Sequence, residues 1–72
     1  MNHHKYRIQL LNEFGLTAVK ADVATTEEAQ KFWDDTVLSM PFNFTAQLLI
    51  KKGSYWNIMK SLRFDQEVWA SA

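Results

Sequence analysis

Cysteine is absent from this 72-residue chain, and it holds one proline, two glycines and two histidines. Without cysteine there is neither a disulfide nor a thiolate–metal staple, so a core must come from the 47% of residues that are hydrophobic. That composition suits a reducing setting, and the expected location is cytoplasmic. Gly15 and Gly53 both sit where turns are expected, which leaves no glycine-rich loop to cradle a phosphate. No apolar run approaches the roughly 20 residues of a membrane span, and the residues after Met1 lead into a strand-like pattern rather than a signal peptide. A membrane is therefore not an expected partner. Charge excess is missing as well: eight basic and eight acidic residues cancel, which removes the whole-chain basicity typical of nucleic-acid binders. The expectation is one small domain over 1–72, with 65–72 as a tail, burying only about 60% of the surface its unfolded chain would expose.

The most legible segment is 25–40. Thr25 and Glu28 have the spacing of a capping box, in which the threonine oxygen takes a free amide of the first turn and the glutamate reaches back. Ala29, Phe32, Trp33, Val37 and Met40 recur at helical spacing, and Pro41 ends the helix because it disfavours helical geometry in the residue before it. Glu27, Glu28, Lys31, Asp34 and Asp35 lie off that stripe, so the outer face is acidic. From Thr36 to Phe64 there is no acid, and the charges are Lys51, Lys52, Lys60 and Arg63. A dipolar molecule follows.

On either side the pattern has the period of strands. Tyr6, Ile8 and Leu10 alternate with Arg7 and Gln9; Asn12 and Gly15 supply turn chemistry; Val19, Ala21 and Val23 then share a face. After Pro41, Phe42, Phe44, Ala46, Leu48 and Ile50 alternate with Asn43, Thr45, Gln47, Leu49 and Lys51, and Lys52, Gly53 and Ser54 form a second turn. In the last strand Trp56, Ile58, Leu62 and Phe64 share one parity, which Lys60 interrupts either by snorkelling at an edge or by marking a bulge. The fold class expected is α+β, ββαββ, with a four-stranded antiparallel sheet and one helix on one face. The tail is expected to add a short helical turn. Strand orders 2-1-3-4 and 1-2-4-3 both keep neighbours antiparallel. The open face is expected to carry Leu49, Tyr55, Asn57 and Met59 among polar residues.

No constellation carries catalysis. His3 and His4 are adjacent at a terminus that ordinarily frays, and neighbours in extended chain point opposite ways. The pairs Glu27–Glu28 and Asp34–Asp35 diverge by about 100° on a helix, and Glu27 and Glu28 already serve its positive end. No enzyme activity, cofactor or metal is expected.

Binding is the remaining class. Trp69, in a short tail of small and polar residues, either folds back to close the core or anchors a partner or a second copy of the chain. A protein partner is expected to meet the acidic helix face, Glu27, Lys31, Asp34 and Asp35, or an apolar patch of Leu49, Met59 and Trp69. The alternative is a single-stranded nucleic acid held by Lys20, Lys51, Lys52, Tyr55 and Arg63, with Tyr55 as the stacking ring. A homodimer joined through an edge strand is a third reading. The order of elements resembles that of several small phage-encoded proteins, some anti-CRISPR proteins among them. That resemblance implies a module that occupies a surface of a larger host complex and does no chemistry of its own; it assigns no residues.

Overall fold

The computed structural model describes residues 5–63 and 66–69. His3, His4, Phe64, Asp65 and the last three residues lie outside them. The elements are β1 (Tyr6–Leu11), β2 (Thr17–Val23), α1 (Thr26–Ser39), β3 (Thr45–Lys52), β4 (Tyr55–Arg63) and β5 (Gln66–Trp69). They build an antiparallel sheet of order β2-β1-β3-β4-β5, with α1 on one face.

The α+β class and the antiparallel sheet agree with the sequence pattern, but the sheet has a fifth strand. Residues 66–69 extend along β4, with Arg63 opposite Gln66 and Lys60 opposite Trp69, where a helical turn is expected. Val68 and Trp69 favour extended chain, and the free edge of β4 supplies the backbone partners that four residues alone lack. Of the two strand orders, the structure takes the one with β1 and β3 at the centre.

The first turn is held by Asn12. Its side-chain oxygen accepts from the amides of Phe14 (2.9 Å) and Leu16 (3.0 Å), and its carbonyl accepts from Gly15 (3.0 Å). Gly15 stands at φ 80°, a conformation that costs a residue with a Cβ. The capping box forms as the spacing implies: Glu28 donates its amide to Thr25 Oγ1 at 3.1 Å, and the Thr25 amide donates to Glu28 Oε1 at 3.3 Å.

Because β2 returns to the Tyr6 end of the sheet, α1 starts there, and the Tyr6 hydroxyl lies 3.0 Å from Thr26 Oγ1. The helix then runs towards the end where Leu11 faces Thr45. It sits over β1 and β3, where Ala29 and Trp33 are buried on Ile8, Leu10, Ala46, Leu48 and Leu62. Phe32, Val37, Met40 and Phe44 pack around that core half-buried.

Two register shifts reset which side chains face the helix. Leu10 faces Val19 but Leu11 faces Thr17, so Ala18 is the extra residue in β2. Leu48 faces Lys60 but Leu49 faces Ile58, so Met59 is the extra residue in β4. The expected single parity of Trp56, Ile58 and Leu62 is therefore broken. Lys60 and Leu62 point to the helix side, whereas Trp56 and Ile58 cross to the open side.

Thr25→Ala removes one capping bond and half of the reciprocal pair. It is expected to cost about 1 kcal/mol, read as a fall of roughly 4–8 °C in the thermal midpoint by circular dichroism.

Candidate interaction surfaces

The open sheet face is closed over by its own side chains. Arg7 on β1 donates to both carboxylate oxygens of Asp22 on β2, from Nε at 2.7 Å and from Nη2 at 3.0 Å. The Asp22 hydrogen bond raises the Arg7 pKa above its ordinary value, against the opposing effect of burial. The same guanidinium lies 4.2 Å from the ring centre of Trp56 on β4. Strands are about 4.8 Å apart, so a contact between β1 and β4 has to pass over β3. The residue beneath is Leu49, opposite Arg7 on one side and Ile58 on the other, and it is only 7% exposed. Gln9 donates to Gln47 at 2.6 Å beside this strap.

Around the strap the face is basic. Lys51 donates its amide to the Lys5 carbonyl (2.9 Å), which places these two lysines opposite one another on the open side. Lys20 stands opposite Gln9, and Arg63 stands opposite Thr45. All four are exposed, and among the described residues the acid on this face is Asp22, which is paired with Arg7.

On the helix side, Lys60 is buried, at 5% exposure. Its Nζ lies 4.7 Å from the ring centre of Trp33 and 4.7 Å from that of Trp69, with a Glu67 carboxylate oxygen at 4.0 Å. Two aromatic faces and one carboxylate replace much of the water the ammonium gives up. This clamp joins α1, β4 and β5. Trp69 is thus tied to the core edge while 59% of it remains exposed.

The third surface is the outer side of α1 and the end of the sheet it points to. Glu27, Lys31, Asp34 and Asp35 are exposed, and Gln30 donates to Asp34 at 2.9 Å. Leu38 shares their stripe and is 86% exposed. At the same end of the sheet lie Phe14 (79% exposed) and Leu16 (65%) of the first turn, and Phe42 (64%) of the link into β3. Asn43 ties that link to the turn by donating to Glu13 at 2.6 Å. Between α1 and β2 a shallow groove of about 350 Å³ is lined by Val23, Glu28, Lys31, Phe32 and Asp35, because the helix does not extend over β2.

The residues expected to act together from the sequence fall on different surfaces. The four charged helix residues share one face. Leu49 is not a surface patch, since the strap roofs it, and Met59 is the half-buried bulge residue packed on the core. Lys20, Lys51 and Arg63 share the open face, but Lys52 and Tyr55 pair with each other at the opposite parity. The aromatic ring on the basic face is Trp56, which the pattern assigned to the core. Leu38, the Lys60 clamp and the Asp22–Arg7–Trp56 strap carry no motif; the irregular parity at Lys60 is the one signal of the bulge that creates the last two.

Among the described residues no three His, Asp or Glu side chains converge so as to hold a metal ion, and no helix is long and apolar enough to cross a membrane. No protein-family model, curated protein or solved structure matches the chain.

Replacing Lys60 separates packing from charge. Lys60→Ala leaves a void between two rings and is expected to cost about 2–4 kcal/mol in urea unfolding, whereas Lys60→Met keeps the stem and is expected to cost under about 1.5 kcal/mol. Equal losses would show that the ammonium, not the stem, holds β5.

Proposed function

We propose that this protein is a small non-enzymatic binding module that occupies a surface of a larger protein, docking through the outer side of α1 and the apolar end of the sheet. The observation that carries the reading is the exposure of Leu38, Phe14, Leu16 and Phe42 at one end of so small a chain. Single apolar residues in water are ordinary, but several large ones gathered where three segments meet are the usual mark of a contact surface. Leu38 and Phe42 supply the apolar anchor. Lys31, Asp34, Asp35 and Glu27 form the charged margin that orients the partner and speeds encounter with a basic surface.

The test is affinity capture by the tagged full chain in the presence of nuclease, followed by titration of the purified partner. Leu38→Ser is expected to weaken binding roughly thirtyfold, the equivalent of about 2 kcal/mol, with an unchanged circular dichroism spectrum. The double reversal Asp34→Lys with Asp35→Lys is expected to abolish capture and leave the fold intact. Binding unaltered by both variants would remove this surface from consideration. Light scattering at two concentrations tests the homodimer reading, which the unpaired outer edge of β2 and the exposed Val19 beside it support. A doubled mass abolished by Val19→Lys would assign the partner as a second copy of the chain.

A further inference from the structure

We infer that the outer edge of β2 pairs with the same edge of a second copy of the chain in one register, antiparallel about a two-fold axis at Ala21, so that the two sheets join into one. This rests on the second-copy reading of that edge given above and is separate from the docking end at Leu38 and Phe42.

Backbone parity comes first. The amide of Lys51 donates to the Lys5 carbonyl across β1 and β3, and that of Asn12 donates to Leu16 across the first turn. The odd residues of β1 therefore turn their peptide groups to β3 and the even ones turn theirs to β2. Val19, Ala21 and Val23, opposite Leu10, Ile8 and Tyr6, bond inwards, and the N–H and C=O groups of Lys20 and Asp22 point away from the sheet. Among the described residues no strand lies beyond them. Such an edge is a template for another strand, and β2 holds no proline to blunt it.

Charge then selects the occupant and the register. With Lys20 and Asp22 at its outward bonding positions, β2 is complementary to itself when reversed: where Ala21 stands opposite Ala21, each Lys20 faces Asp22 of the other copy on the open side of both sheets. Sliding by two residues either way sets Lys20 against Lys20 or Asp22 against Asp22, and like charges directly opposite are unfavourable. A slip of one residue puts the side chains on the wrong faces. Asp22 keeps both bonds from Arg7 in this arrangement, since a carboxylate has lone pairs beyond those two, and Lys20 of the second copy lengthens the strap across the axis.

The helix side fits the same register. Val19, Ala21 and Val23 share that side, and α1 stops short of them. Val19, 45% exposed, comes beside Val23 of the second copy, which with Phe32 lines the groove between α1 and β2. Each copy thus brings the apolar side chain it leaves in water to the groove the other leaves open. Because one edge is used by both copies, the assembly closes as a pair and does not grow into a filament.

A chain without cysteine makes the register directly measurable. Light scattering on the unaltered chain is expected to show a doubled mass as concentration rises. Under those conditions Ala21→Cys is expected to oxidise to a covalent dimer on a non-reducing gel, because directly opposed Cβ atoms lie within disulfide reach. Lys20→Cys, offset from its twin with Cβ atoms about 7 Å apart, is expected to cross-link poorly. Lys20→Glu, at an exposed position, is expected to weaken the dimer at least about tenfold with an unchanged circular dichroism spectrum, since the symmetry makes each substitution count twice. A doubled mass with Lys20→Cys cross-linking in preference, with neither variant cross-linking, or with Lys20→Glu without effect would overturn this register while the second-copy reading stands. A single mass at every concentration would overturn both.

Discussion

One 14-residue helix has to seal one side of a five-stranded sheet, and Trp33 is the side chain through which it does so. A helix is about 10 Å across, roughly the width of two or three strands, so α1 can sit over β1 and β3 but not over the whole sheet. Trp33 extends the cover sideways. Its body lies on the aliphatic core, and its ring meets Lys60, whose ammonium in turn meets Trp69 on β5. The lysine is a spacer between two rings more than an isolated charge, since its stem fills the volume over β4 and its head is satisfied by π faces and Glu67. On the β2 side no comparable bridge extends the cover among the described residues, and there Val19 and Leu16 remain exposed.

The opposite side of the sheet solves the same covering problem with polar material. No helix packs there, yet Leu49 is as dry as the core, because Asp22, Arg7 and Trp56 form a continuous strap over four strands. Each link satisfies a group that the next would otherwise leave bare: the carboxylate takes both guanidinium donors, the guanidinium caps the indole, and the indole shields the leucine. The two layers consequently carry opposite chemistry, an acidic helix with an apolar end and a basic sheet with an aromatic centre. Charge neutrality of the whole chain conceals this division.

What was legible in the sequence was the chemistry of single elements. The capping box of Thr25 and Glu28, the stop at Pro41 and the turns at Gly15 and Gly53 are local, set by residues within a few positions of one another, and the structure contains each of them. The alternation of β1 and β3 likewise assigns the core residues Ile8, Leu10, Ala46 and Leu48. Harder to read was anything decided by a neighbour distant in sequence. Whether Lys60 snorkels or marks a bulge depends on Trp33 and Trp69, and the bulge at Met59 then moves Trp56 from the expected core to the open face and Tyr55 away from it. Residues 66–69 have too few contacts of their own to declare a strand, and it is the vacant edge of β4 that makes them one. The candidate surfaces inherit this pattern: the acidic helix face was visible from one period, whereas the basic face required knowing which parity each strand adopts on either side of a bulge.

The sheet order also bears on how the chain reaches this structure. β1 with β2 and β3 with β4 are neighbours in sequence joined by short turns, each able to close within microseconds of the chain becoming available, and β5 pairs with the strand just before it in sequence. Pairing of β1 with β3 is different, because it has to enclose β2 and the whole of α1 within one loop. The conformational search is therefore concentrated in a single joining event between two preformed hairpin units, and the helix, held in the closing loop, is delivered onto that seam as it forms. During synthesis the first hairpin and α1 emerge before β3 exists, so until the second half arrives Ile8 and Leu10 present the apolar stripe on which the rest of the sheet is assembled.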